Sequence, residues 1–120
     1  MIVSYRISFP EPLILPSAAS LRIEIRDTSL IDAPSVTLAV TLYHADQLAN
    51  RAFITGTVEL PEQISPKAAI TLWAHLSLSG DVRVNKEDFI TTRAYPITKT
   101  DEHGQVVVAM QPVDSSARAT

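Results

Sequence analysis

Apolar and polar residues alternate along most of this chain with the period of a β-strand. The clearest run is 70–79, in which every second residue from Ile70 to Leu78 is apolar and the intervening residues are mostly polar. Alternation of this length indicates a strand with one buried face. The same pattern predicts strands at 3–9, 21–26, 36–43, 54–60 and 106–110, with shorter strands at 82–84 and 89–92.

Each alternating segment has one apolar side, and turn signals separate the segments. In 36–43 the apolar side consists of Val36, Leu38, Val40 and Leu42. Ser79-Gly80-Asp81 and Asp101-Glu102-His103-Gly104 are polar segments typical of turns, because glycine adopts positive φ at little steric cost. No window carries a helical stripe, and only single helical turns are expected, near 61–65 or 87–88. The pattern predicts seven or eight antiparallel strands in an immunoglobulin-like two-sheet sandwich, with a small barrel as the alternative.

The length of 120 residues corresponds to one domain. We predict that it spans residues 1–113. The polar, small-residue tail 114–120 is expected to be disordered. Prolines at 10, 12 and 16 predict an extended loop over that segment.

Composition and charge restrict the possible functions. The net charge of −3, without clustered basic residues, argues against nucleic acid as a partner. The absence of cysteine excludes disulfides, thiolate nucleophiles and thiolate metal sites. No apolar run has membrane-spanning length, and no export signal is visible. As written, the chain is expected in the cytoplasm, or at the periplasmic or outer-membrane side if an export signal has been removed.

One block of sequence resembles a family signature. Residues 21–39 read as a strand followed by Asp27-x-Ser29-x-x-Asp32-Ala-Pro34. This block is similar to the YbaY and YscW group of small bacterial envelope lipoproteins, and weaker matches extend over residues 3–113. The resemblance implies a β-sandwich without a catalytic centre. It also implies a role like that of type III secretion lipoprotein chaperones, or pilotins, which help an outer-membrane secretin reach its place. This chain lacks the lipid-bearing cysteine of that group.

The same block also has a purely structural interpretation. Asp27, Ser29 and Asp32 can bond to main-chain groups nearby in the sequence and fix tight turns. Pro34 forces the residue before it away from helical angles. We therefore expect these four residues to form a corner between strands, with partner contact as the alternative.

Catalytic and metal-binding patterns are weak. His44 lies two residues before Asp46, and His103 lies two residues after Asp101, but neither pair has a third ligand at metal-binding spacing. No nucleophile elbow or phosphate-binding loop occurs in the sequence. Glu87 is adjacent to Asp88, so on a strand the two would point to opposite faces and not form a glycosidase pair. We expect no enzymatic activity and no cofactor.

The polar side of the 70–79 strand carries the most distinctive candidate residues. Trp73 shares this side with His75, and an exposed tryptophan there would suit contact with a protein or a sugar. The alternative is that a loop, such as residues 10–16, covers it. Tyr43 is expected to extend the same patch, with Arg22 and Arg26 as charged neighbours.

These residues lead to three functional hypotheses. The first is a non-enzymatic module that binds a protein partner through a sheet face or an open edge; open edges would also allow a homodimer. The second is a carbohydrate-binding or polysaccharide-metabolism accessory domain that stacks Trp73 on a sugar ring. The third is an enzyme using His44 or His103, which no further sequence feature favours.

Overall fold

The computed structural model describes residues 1–10, 15–29, 35–61 and 68–113, and within these ranges the chain forms nine strands and one short helix. The strands are β1 (Ile2–Ser8), β2 (Ser20–Asp27), β3 (Val36–His44), β4 (Phe53–Glu59), β5 (Ile70–Ser77), β6 (Phe89–Ile90), β7 (Tyr95–Pro96), β8 (Gln105–Ala109) and β9 (Gln111–Pro112). The helix α1 (Ala45–Leu48) directly follows β3. Two separate sheets form, and the predicted all-β sandwich is confirmed.

The smaller sheet has the strand order β4–β1–β8. β1 pairs antiparallel with β4, with Tyr5 opposite Gly56. β1 also pairs with β8, and here the two strands are parallel, with Ser4 opposite Gln105. The parallel pair departs from the expected antiparallel pattern, since alternation reveals which face of a strand is buried but not its direction.

The larger sheet has the order β3–β2–β5–β6–β9, and β7 also pairs with β5. β2 lies between β3 and β5 and is antiparallel to both. Among the described residues β3 pairs only with β2, so its other edge is open. The register between β2 and β3 shifts between Ile25 and Arg26, which marks a β-bulge.

The core lies between the inward faces of the two sheets. The smaller sheet contributes Val3, Tyr5, Ile7, Ile54, Val106 and Val108, and the larger contributes Leu21, Ile23, Ile25, Leu72, Ala74 and Leu76. All of these positions belong to the apolar sides predicted from the alternation. Each fully buried large aliphatic or aromatic side chain stabilises the fold by about 1.5–3 kcal/mol, so this double layer is the main source of stability.

A tyrosine pair joins the two sheets. The hydroxyls of Tyr5 on β1 and Tyr43 on β3 form a hydrogen bond of 2.6 Å. Burial, followed by this hydrogen bond, raises the pKa of Tyr5 well above its usual value. Gly56 leaves room for both rings, because a Cβ atom there would lie 2.5 Å from the Tyr5 hydroxyl and 2.6 Å from that of Tyr43.

The weaker predictions had mixed outcomes. β6 falls inside the predicted strand 89–92, whereas 82–84 forms bends and Val82 is 81% exposed. The carboxylate of Asp81 accepts the main-chain N–H of Arg83 at 3.1 Å and holds this turn. β7, β9 and the four-residue α1 were not predicted, since each is too short to show a period. Near 87–88 the chain forms a turn closed by a 3.1 Å bond from Asp88 N–H to the Asn85 carbonyl.

Some predictions lie outside the described residues. They are residues 11–14 of the proline-containing loop, residues 62–65 of one expected helical turn, and the tail 114–120. In the described part of the chain, no helix combines the length and apolar character needed to cross a membrane.

Candidate partner-binding face

The face of the larger sheet turned away from the core, called here the outward face, contains a network centred on Glu24. The carboxylate of Glu24 accepts hydrogen bonds from Arg22 Nε at 2.9 Å and Thr37 Oγ1 at 2.8 Å. Arg26 adds two longer bonds of 3.3 Å through Nε and Nη2. Glu24 is only 7% exposed, and these four hydrogen bonds compensate for the loss of water around its carboxylate.

Two opposing effects set the pKa of Glu24. Burial alone raises the pKa, because it penalises the charged form. The hydrogen bonds from Arg26, Thr37 and Arg22 stabilise the charged form and together outweigh burial, so the pKa of Glu24 lies below its ordinary value. The network therefore holds the ionised carboxylate and fixes the two guanidinium groups on the outward face.

Trp73 lies opposite Glu24 on the neighbouring strand β5 and is half-buried. The guanidinium carbon of Arg26 lies 4.0 Å from the centroid of the indole ring, a cation–π distance. The side chain of Arg26 therefore covers one face of the ring. Residues 11–14 of the loop expected to cover Trp73 lie outside the described residues.

His75 belongs to the same face but does not present its ring to solvent. It is 2% exposed, and its Nε2 atom lies 2.7 Å from Oδ2 of Asp88, which is fully buried. The carboxylate of Asp88 also accepts the main-chain N–H groups of Leu78 at 3.0 Å and Asn85 at 2.9 Å. The segment leading into β6 thus covers His75, and of these two candidate residues only Trp73 is partly exposed.

Tyr43 does not extend the patch, which corrects the expectation from the sequence. In the register of β3 on β2 it lies opposite the buried Leu21, on the inward side of the sheet. Its hydroxyl reaches inward to Tyr5. That contact fixes which residues of β3 face the core.

The same register turns an apolar part of β3 toward solvent. Val40 lies opposite Glu24 and Leu42 opposite Arg22, so both side chains lie on the outward face. Val40 is 42% exposed and Leu42 is 49% exposed. We call these two residues the β3 strip. It borders the open edge of the sheet and was not among the candidates from the sequence, where an apolar side is assigned to the core.

The corner residues form a local hydrogen-bond network after β2. Oδ1 of Asp27 accepts the main-chain N–H of Ser29 at 2.9 Å and also bonds to the Ser29 hydroxyl. These bonds, the one from the hydroxyl first, lower the pKa of Asp27. The Ser29 hydroxyl in turn accepts the N–H of Ala69 at 3.2 Å, which ties the corner to the start of β5. Asp32 and Pro34 lie outside the described residues.

His44 and His103, the two histidines considered above as catalytic residues, lie in separate parts of the chain. The main-chain N–H of His44 donates to Gln47 Oε1 at 2.7 Å at the start of α1. His103 is exposed and lies 3.5 Å from Glu102. The described residues contain no group of three or more His, Asp or Glu side chains arranged to hold a metal ion. The buried His75–Asp88 pair offers no solvent-accessible surface to a substrate.

The comparisons with known proteins agree with this picture of a sandwich. A search of curated proteins gives no match. Among solved structures, the chain is similar to an alternative pilotin from the type II secretion system of Vibrio cholerae, with a TM-score of 0.65 and 19% sequence identity. The likeness covers 92% of this chain and 94% of that one, and at this identity it concerns the fold. The family model described as "Type III secretion system lipoprotein chaperone (YscW)" matches residues 2–110. Because that match spans nearly the whole sandwich, the chain belongs to the YscW family.

Proposed function

We propose that this protein is a non-enzymatic, chaperone-like module of a bacterial secretion system that binds a segment of a partner protein at the open edge of β3. Membership of the YscW family supports the general role, and the β3 strip supports the location. Val40 and Leu42 are aliphatic side chains left about half-exposed beside a strand edge that pairs with no other strand in the described part of the chain. Such an edge can accept an added strand through main-chain hydrogen bonds.

The outward face would provide both affinity and a defined orientation. An added strand would place alternate side chains beside Val40 and Leu42 on the outward face, and the surface buried between them would contribute up to about 1 kcal/mol per residue. The Glu24 network gives a rigid polar border on the sheet side of the strip, because its arginines are already held in place. Main-chain pairing would supply the remainder of the affinity.

The test compares two lysine substitutions at matched exposure. Val40→Lys adds a charge to the β3 strip, whereas Val107→Lys makes the same change on the other sheet, where Val107 is 48% exposed. Binding to the secretin of the same bacterium would be measured by isothermal titration, with circular dichroism to verify folding. We expect Val40→Lys to weaken binding by about tenfold or more and Val107→Lys to leave it unchanged. Equal effects of the two substitutions would refute the location, and no binding by the unmodified protein would refute this partner.

No observation favours the carbohydrate-binding hypothesis. Arg26 already occupies one face of Trp73 at 4.0 Å, so a sugar stacked on that face would have to displace a cation–π contact. The protein-binding proposal therefore stands alone.

A further inference from the structure

A cleft with two arginines opens on the outward face beyond the Glu24 network. It has a volume of about 350 Å³, and Arg26, Trp73 and Arg93 contribute to its lining. Hydroxyl-bearing side chains, among them Thr28, Ser35 and Thr92, supply further polar groups. No carboxylate belongs to the described residues that line it. The cleft is thus a locally positive site on a protein whose net charge is −3.

Both guanidinium groups are positioned by aromatic rings. Arg26 lies 4.0 Å from the centroid of Trp73, and Arg93 lies 5.1 Å from that of Tyr95. Stacking restricts the arginine side chains before any ligand arrives, which lowers the entropy cost of binding. A guanidinium group stacked on a ring keeps its N–H donors at its planar edge; Arg26 already uses Nε and Nη2 of that edge on Glu24.

The two arginines differ in how far their charge is already neutralised. Arg26 shares Glu24 with Arg22 and Thr37, and its own bonds to that carboxylate are 3.3 Å long. Arg93 has no carboxylate within ion-pairing distance among the described residues, and it is exposed. The guanidinium of Arg26 is therefore partly neutralised, whereas that of Arg93 has no carboxylate partner in the described ranges and can pair with an added anion.

We propose that this cleft binds a carboxylate, supplied by an acidic residue of the partner segment. The assignment of the carboxylate to that segment rests on the function proposed above. Ser35 connects the two sites, because it lines the cleft and directly precedes β3. Arginine pairs with carboxylates through two parallel N–H···O bonds, and such charge-assisted bonds are among the strongest in proteins.

A peptide carboxylate fits the charge pattern better than a membrane surface does. Lipid headgroups are usually recognised by clusters of about four to eight basic residues, whereas this cleft has two arginines. The overall negative charge would also oppose approach to an anionic bilayer. A single buried acidic side chain needs only a local positive site of this kind.

The single tryptophan makes the cleft directly observable. In ¹⁵N-labelled protein, the indole N–H signal of Trp73 would be followed during titration with N-acetylglutamate α-amide. Parallel titrations would use N-acetylglutamine amide, inorganic phosphate and phosphatidylglycerol vesicles. We expect a saturable shift with the glutamate probe and none with the glutamine probe. Arg93→Gln should weaken binding of the glutamate probe about tenfold, because it removes a charge-assisted pair.

The control is Arg83→Gln, which removes an arginine whose side chain is 85% exposed and which is paired with Asp81; it should bind the glutamate probe like the unmodified protein. The proposal is overturned by equal shifts with the two amino-acid probes, by equal behaviour of the two arginine variants, or by phosphate or vesicles saturating at lower concentration than glutamate. The glutamate probe is too small to pair with the edge of β3. The Val40→Lys variant should therefore still show the shift of the Trp73 indole N–H signal. Failure of the β3 edge as a partner site is thereby separated from failure of the carboxylate site.

Discussion

Replacing Asp88 with alanine should destabilise the fold strongly, because several buried hydrogen bonds end on its carboxylate. Asp88 is fully buried and accepts three hydrogen bonds, from His75 Nε2 at 2.7 Å, Asn85 N–H at 2.9 Å and Leu78 N–H at 3.0 Å. Alanine leaves all three donors without that acceptor. The ring of His75 is then also left inside the protein without its partner.

The expected magnitude follows from these contacts. Each buried donor left without an acceptor costs about 1–3 kcal/mol, so the loss of three such bonds should cost about 3–5 kcal/mol, as breaking a buried ion pair does. That is a large part of the roughly 5–15 kcal/mol that stabilises a typical domain. Asp88→Asn should cost less, about 1–3 kcal/mol, since one oxygen remains while the amide NH₂ faces a donor.

Urea unfolding followed by Trp73 fluorescence and by circular dichroism would measure these changes in the free energy of unfolding. Glu87→Ala is the matched control, because Glu87 is exposed and adjacent in sequence, and it should change stability by no more than about 0.5 kcal/mol. The expected order of destabilisation is Asp88→Ala, then Asp88→Asn, then Glu87→Ala. A loss below about 1 kcal/mol for Asp88→Ala would refute the structural role assigned to this carboxylate.

Three further predictions concern the other buried polar contacts and can be measured in the same unfolding assay. Because the folded pKa of Glu24 is lowered, its ionised form stabilises the protein above the usual glutamate pKa of about 4.3, and this contribution is lost as the pH falls through the lowered value. Glu24→Gln should therefore reduce the acid sensitivity of the unfolding midpoint, and an unchanged pH profile would contradict this. Gly56→Ala should destabilise by about 1–3 kcal/mol, because the new Cβ would meet both tyrosine hydroxyls; a neutral result would mean that the pair moves freely. Tyr43→Phe should cost about 1 kcal/mol through the lost bond to Tyr5, and a stabilised variant would count against that bond.

The sequence predicts the long strands and their buried sides well. Burying one side of a strand requires apolar residues at alternate positions, and this alternation is visible in the sequence. The runs around Tyr5, Ile23 and Leu72 are examples, and each faces the core as predicted. β3 shows the limit of this reasoning. Val40 and Leu42 form the more apolar side of the strand, yet the hydroxyl contact of Tyr43 places them outward.

The candidate site was only partly predictable, because Arg22, Glu24 and Arg26 share one strand whereas the other residues reach them from segments distant in the sequence. The network on Glu24 includes Thr37 from another strand, and Asp88 reaches His75 from a segment thirteen residues away. Arg93 lies in the connection between β6 and β7, which carries no periodic signal. Chemistry of this kind depends on register and loop geometry, neither of which alternation specifies.

The parallel pairing of β1 with β8 has a consequence for how the chain folds. β1 is the central strand of its sheet, yet one neighbour, β8, is formed by residues about a hundred positions later. Closing a loop of that size must precede any gain from the pairing, and topologies with such distant contacts fold slowly. During synthesis, one side of β1 therefore stays unpaired until residue 105 has emerged. Over that interval the nascent domain exposes a strand edge in its own centre, and protection of this edge would govern the yield of folded protein.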